Sequence, residues 1–190
     1  MNELKLYEEN RINLNEYKFL QRMIIEKKYE KKICEWIIEN FEIYEKDNEE
    51  WINNNYFINS KIKEKNIFLI EKIENIFPFI LESFGKTIDD IIKCYYLNDK
   101  YIYKITEIFL EKYEEPNQEN IYYTNSDITI NILIKNDNSN KEFISFSDGI
   151  NSNIEIGDMI IYSSKTRHYK IKTNNNPMYI LVGLIKIYEK

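Results

Sequence analysis

The sequence predicts an α+β protein, with helices gathered in its first half and a β-sandwich or barrel in its second. Three observations carry this. Apolar residues recur at spacings of three and four up to about residue 96. After Leu97 the period shifts towards two, in many short runs separated by turn residues. Helices first and strands afterwards suit an arrangement with the helices packed on one face of the sheet. Residues 1–98 thus read as a helical N-terminal support region and 99–190 as the strand core. The two form a single integrated domain, because the helices need the sheet to cover their apolar faces.

Residues from about 16 to 46 carry a helical pattern, with Ile33, Trp36, Ile37, Phe41 and Tyr44 on one stripe. The stretch 47–64 is polar and Asn-rich around Asn53 to Asn55, which suits a loop with a short strand near Tyr56-Phe57-Ile58. A second helix is predicted over 67–84, with Leu69, Ile73, Ile76, Phe77, Ile80, Leu81 and Phe84 on its apolar face. Pro78 inside that pattern predicts a kink or a split, and Gly85 a stop. A third short helix is predicted over 89–96.

The second half reads as strands and turns. Residues 101–113 are β-branched and aromatic and suit one or two strands, followed by a turn at Glu114-Glu115-Pro116-Asn117. Residues 127–134 are apolar throughout or alternate, as in a buried strand, and 135–140 form a polar turn. Further strands are predicted over 142–147, 153–156, 158–162, 169–172 and 179–188, with turns at Asp148-Gly149 and at Asn174 to Pro177.

Composition narrows the function. The net charge is −6 and the pI about 5.1, which argues against a general binder of nucleic-acid backbone. The run Glu26 to Lys32 mixes both signs, as a solvated helix face does. Ala is absent, Val182 is the only valine, and Ile, Lys, Asn, Tyr and Glu dominate, the imprint of an AT-rich genome. Cys34 and Cys94 have no metal-like spacing and fall in apolar helical patterns. The charged N-terminus has no apolar signal-peptide core, and no apolar run approaches the ~20 residues that span a bilayer. An intracellular, reducing location, with no membrane and no nucleic-acid partner, is the expectation.

His168 is the only histidine in the chain. It closes the segment Gly157-Asp-Met-Ile-Ile-Tyr-Ser-Ser-Lys-Thr-Arg-His168. From about Glu107 to Ile187 the chain resembles the 2-oxoglutarate/Fe(II)-dependent oxygenases of the prolyl- and lysyl-hydroxylase type. Phe109-Leu-Glu-Lys-Tyr113 resembles the strand that enters the family's active site, with Tyr113 a pocket-lining candidate. Tyr123-Thr-Asn-Ser-Asp-Ile-Thr-Ile-Asn131 resembles the family's His-x-Asp, spacer and Thr-x-Asn-like strand. Ile156 to Tyr162 resembles the glycine-led strand before the distal histidine, and Thr166-Arg-His168 through Leu181 the closing segment. The helical stretches 32–44 and 67–84 fall where that family carries supporting helices. The resemblance implies a double-stranded β-helix, a cupin-like jelly roll, with N-terminal helices packed on it. It also implies Fe(II) and 2-oxoglutarate as the cofactors of an active member.

The residues that would hold those cofactors depart from the family's pattern. Such an iron site takes two histidines and one carboxylate. Aligned on Thr129-Ile-Asn131, the family's His-x-Asp lands on Tyr122-Tyr-Thr124, a phenol and a neutral hydroxyl. His168 alone matches as a metal ligand. Met178 stands about ten residues further on, at the place of the family's arginine, and a thioether cannot offer a carboxylate the bidentate fork of a guanidinium. Asn140 and Lys141 replace a Gly-rich turn.

Three readings follow. The first is a degenerate member of the fold, a pseudoenzyme that expects no cofactor and binds a partner protein or a small molecule. The second is an active hydroxylase whose altered metal site is built on His168 with Asp127 or Asp148, with Lys135, Arg167, Lys170 or Lys172 supplying a cation for the oxo-acid. Against it, Asp127 and Asp148 also suit turns, the lysines suit solvent-facing strand positions, and His168 suits a hydrogen-bonded core residue. The third is a purely structural jelly roll, as in capsid or lectin-like proteins. No phosphate-cradling glycine loop and no Gly-x-Ser-x-Gly elbow is present. A zinc site would need Cys34, Cys94 and His168 to meet across distant elements.

Overall fold

Two antiparallel sheets share one layer of apolar side chains, and two helices close a second layer on the far side of the larger sheet. This computed structural model describes residues 5–6, 22–47, 65–70, 73, 75–95, 101–113, 117–121, 126–136, 142–146, 151–164, 166, 168–172 and 176–189. The elements are β1 (Lys5–Leu6), β2 (Arg22–Ile25), α1 (Lys31–Asp47), β3 (Lys65–Leu69), α2 (Phe77–Tyr95), β4 (Tyr101–Tyr113) and β5 (Asn117–Ile121). There follow β6 (Ile128–Lys135), β7 (Glu142–Phe146), β8 (Asn151–Asn153), β9 (Met159–Ser163), β10 (His168–Lys172) and β11 (Met178–Glu189). The seven-stranded sheet runs β1-β2-β9-β6-β11-β4-β3, and the four-stranded sheet β5-β10-β7-β8.

Strand alternation builds both layers. On β11, Met178, Ile180, Val182 and Leu184 enter the layer between the sheets, and Tyr179, Leu181 and Ile185 enter the layer under the helices. On β6, Ile128, Ile130, Ile132 and Ile134 belong to the helix-side layer and Thr129, Asn131 and Leu133 are buried on the other face, so this strand is buried almost throughout. α1 adds Cys34, Ile37, Ile38 and Phe41 to that layer, and α2 adds Ile80, Phe84, Ile88 and Ile91. Phe41 meets the Tyr179 ring edge-on, with centroids 5.9 Å apart. A Cβ on Gly183 would collide with the Phe84 ring, so the bare backbone of β11 is what lets α2 approach.

The first half differs from its expected form at several points. Of the described residues in the helical pattern over 16–46, the helix takes those from Lys31 on; Arg22–Ile25 is instead a strand on β9, with Met23 opposite Ile161. The chain leaves β2 through Lys27, at a φ of 50°. The backbone N–H of Lys27 donates to Asp158 Oδ1 at 2.7 Å, and that of Tyr29 to the Gly157 carbonyl at 3.0 Å. Gly157 itself has a φ of 91°, and a Cβ there would strike the Tyr29 carbonyl. The start of the expected 67–84 helix is β3, paired with β4, because a short apolar run suits either state and the free side of β4 accepts it.

Pro78 lies in the first turn of α2, where its missing N–H costs nothing, so it starts the helix rather than kinking it. Gly85 does not stop the helix, because Phe84, Ile88 and Ile91 continue its buried face; the Tyr103 hydroxyl donates to the Gly85 carbonyl at 3.2 Å. The stretches 67–84 and 89–96 thus resolve into one strand and one helix, and residues 1–98 carry strands as well as helices. Trp36, placed on the core stripe from sequence, is 37% exposed and rests edge-on against Phe79.

The second half follows its expected strands closely. Residues 101–113 form one strand with an irregularity opposite Leu184/Ile185, and β5 occupies 117–121, beyond the expected turn. Of the expected 153–156 strand only Asn153 is extended, at the end of β8. The expected loop over 48–64, with its short strand, and the Asp148-Gly149 turn lie outside the described residues. Among the described residues no helix is long and apolar enough to cross a membrane.

Candidate functional site

His168 opens β10, with Ile121 of β5 and Phe146 of β7 as its register partners. It is fully buried in the layer between the sheets. Phe146 and Tyr162 flank the imidazole, with ring centroids 6.0 and 4.8 Å away. Its Nδ1 lies 3.1 Å from the Thr166 carbonyl and its Nε2 3.0 Å from the Tyr162 hydroxyl. A carbonyl oxygen can only accept, so Nδ1 carries the proton and Nε2 presents its lone pair. The Tyr162 hydroxyl donates to that lone pair and accepts from Asn131 Nδ2 at 2.6 Å.

These groups form a directed chain, Asn131 to Tyr162 to His168 to the Thr166 carbonyl. Burial, chiefly, and the nearby Glu111 push the Tyr162 phenol well above its ordinary 10.0, and the Asn131 hydrogen bond works the other way. The phenol therefore stays protonated and remains a donor. Strand periodicity explains the meeting: Asn131 and Thr129 point inward from β6, beside Tyr162 on β9. Thr129 and Ser126 complete a buried hydroxyl cluster, each 2.7 Å from the Ser164 hydroxyl. Asn131 Oδ1 is buried with no hydrogen-bond partner among the described residues.

The sequence candidates distribute as follows. Met178 is buried in the between-sheet layer, in register with Tyr113. The Tyr113 hydroxyl donates to the buried Glu111 carboxyl at 2.8 Å. The tyrosine expected as a pocket-lining candidate thus holds a carboxyl of its own chain. Asp127 is occupied at the strand edge: Oδ1 meets Lys186 Nζ at 3.3 Å and Oδ2 accepts from the Ile187 N–H at 2.9 Å. Lys135 places its Nζ 5.8 Å from the Tyr179 ring, on the helix side of the sheet. Lys170 and Lys172 lie on β10, opposite Glu119 and Asn117. Cys34 is buried on the helix side, so the sheet separates it from His168. Tyr122, Thr124, Asp148 and Arg167 lie outside the described residues.

Glu111, Asn131 and Tyr162 were not singled out from sequence as site residues. Asn131 had a signal: an amide among the isoleucines of the Ile128–Lys135 run, which a buried strand tolerates only where the amide finds a partner.

An Fe(II) centre of the oxygenase type does not fit these residues. The chain has one imidazole, and its lone pair is already engaged by a protonated phenol. Among the described residues no group of three His, Cys, Asp or Glu side chains suits a metal ion. Nor do Met178 and Glu111 supply a cation for an oxo-acid: the first is a buried thioether and the second a buried carboxyl.

No family model matches the sequence, and no curated protein matches it. Solved structures do match in three dimensions. A viral collagen prolyl hydroxylase from Paramecium Bursaria Chlorella virus-1, in a 2OG complex, covers 86% of this chain and 94% of its own, at 12% identity and a TM-score of 0.56. A prolyl-4-hydroxylase from Pseudomonas putida covers 87% and 91%, at 11% identity and a TM-score of 0.59. HygX from Streptomyces hygroscopicus, with nickel and 2-oxoglutarate bound, covers 87% and 82%, at 6% identity and a TM-score of 0.60. At such identities the likeness is one of architecture, and the chain has the jelly-roll fold of prolyl hydroxylases and other 2-oxoglutarate/Fe(II) oxygenases.

Proposed function

We propose that this chain is a non-catalytic binding or regulatory protein built on the fold of the 2-oxoglutarate/Fe(II) oxygenases. The observation that carries this reading is the hydrogen bond from the Tyr162 hydroxyl to His168 Nε2, 3.0 Å long and fully buried. A nitrogen that accepts a hydrogen bond from a buried, protonated phenol must give up that bond before it can hold a metal. Glu111 and Met178 support the reading, because together they make the interior unwelcoming to a dianionic oxo-acid. The function left to such a chain is recognition, of a partner protein or of a small molecule.

The second reading, an active prolyl- or lysyl-type hydroxylase with an altered metal site around His168, rests on the same histidine and the same fold. Anaerobic calorimetric titration with Mn(II) and Fe(II), with and without 2-oxoglutarate, separates the two. It is run on the wild type, His168→Ala and Tyr162→Phe. The expected result is no stoichiometric binding to the wild type and no oxidative decarboxylation of 2-oxoglutarate. Stoichiometric binding at micromolar affinity that disappears in His168→Ala would establish the second reading. Tyr162→Phe frees the nitrogen; metal binding gained only in that variant identifies the phenol as the block.

A further inference from the structure

The inward face of β4 and β11 runs on beyond the four-stranded sheet and comes out into solvent. Past the irregularity at Leu184/Ile185, Lys186 stands opposite Lys104 and Tyr188 opposite Ile102. Alternate residues of a strand share a face, so these four side chains make a two-by-two block. The reverse face of the same ribbon is covered: Tyr103, Ile105 and Ile187 pack into the helix-side layer. The block itself is open, with Ile102 47% and Tyr188 44% exposed and Lys104 exposed beside them.

Its charge is only half compensated. Like charges directly opposite on neighbouring strands repel. One carboxylate answers this pair: Asp127 takes Lys186 Nζ through Oδ1 and the Ile187 N–H through Oδ2. That contact displays how this edge of the sheet receives a carboxylate, with an ammonium and a backbone N–H together. The Lys104 side chain has no hydrogen bond or ion pair among the described residues. In a chain of net charge −6 the pair is a local inversion of sign next to an apolar pair. The net negative charge of the chain opposes a polyanion such as nucleic acid, whose binding needs a broad basic face. A short acidic segment escapes that repulsion.

We propose that this ribbon face docks an acidic, apolar peptide segment of a partner protein. A carboxylate of the segment sits between Lys104 and Lys186, and an apolar side chain next to it covers Ile102 and Tyr188. A block of this size suits a weak, transient contact rather than an obligate one. The inference goes beyond the reading of the interior and does not depend on whether iron binds there.

The test uses the full chain and a fluorescein-labelled peptide of alternating Glu and Leu, followed by fluorescence anisotropy and by backbone amide shifts. Saturable binding is expected, with the largest shifts at residues 102–106 and 186–188. Lys104→Glu weakens it by about tenfold or more, and added salt weakens it as well. Tyr188→Ser weakens it also, and a peptide of alternating Gln and Leu does not bind. Lys104→Glu alters an exposed side chain, so it decides the matter even where Tyr188→Ser unfolds. Absence of saturable binding overturns the proposal. So does binding unchanged by Lys104→Glu, or tighter binding of a single-stranded oligonucleotide than of the peptide.

Discussion

At the scale of single residues, the interior turns on who donates to whom. His168 was legible in the sequence as a distinctive residue, because it is the only histidine and follows a glycine-led strand. Its partners were not, since Tyr162 and Asn131 lie 6 and 37 positions before it and meet it only across the layer between the sheets. Tyr162→Phe removes one hydroxyl and strands two buried groups, Asn131 Nδ2 and His168 Nε2. A loss of about 1–3 kcal/mol is expected, the usual cost of unpaired buried polar groups, and urea unfolding measures it.

Alkaline pH exposes the same chemistry. Burial pushes the Cys34 thiol from 9.0 to about 11, and Tyr162 is raised well above 10.0. Both groups hold their protons longer folded than unfolded. Their contribution to stability is complete below the ordinary values and is lost as the pH rises towards the folded ones. Unfolding free energy is therefore expected to fall as the pH passes 9 to 10, with a shallower fall in Tyr162→Phe; urea titrations across that range read the slope. A slope identical in the two proteins would contradict the assignment to Tyr162.

At the scale of elements, the strands of the second half were readable because period two, turn residues and β-branched runs agree there. The first half was misread where one pattern fits two states. Arg22–Ile25 and Lys65–Leu69 are short apolar runs without a decisive period, and the exposed sides of β9 and β4 drew them into the sheet. The docking of α2 rests on an absence, the side chain that Gly183 lacks. Gly183→Ala would place a methyl group against the Phe84 ring and force α2 off β11. A loss of about 1–3 kcal/mol is expected, as for other overpacked cores. Phe84→Leu in the same chain should recover part of that loss, and a double-mutant cycle in thermal unfolding measures the coupling. Additive effects would show that the ring and the glycine are not in contact.

At the scale of the whole molecule, the two layers of core share the seven-stranded sheet as a common wall. Ile130, Ile132, Leu181 and Ile185 face the helices, while Ile160, Ile180 and Val182 face the smaller sheet. Residues 1–98 also supply β1, β2 and β3 to that wall. A fragment of residues 99–190 alone would expose the helix-side layer and lose three strands, so it is expected not to fold. Circular dichroism and amide proton spectra of the fragment check this, and a dispersed native-like spectrum would show that the helices are dispensable.

By itself the sequence determined the class of the molecule and most of the strands of its second half, because local period and turn chemistry are written along the chain. It determined equally that one histidine cannot form a two-histidine iron site. Only the tertiary structure decided what that histidine does. The direction of its hydrogen bonds depends on Tyr162, Asn131 and Thr166 arriving together around it. Only the tertiary structure, too, made strands of 22–25 and 65–69, because a sheet edge rewards any short apolar segment that reaches it and local pattern does not record which one will.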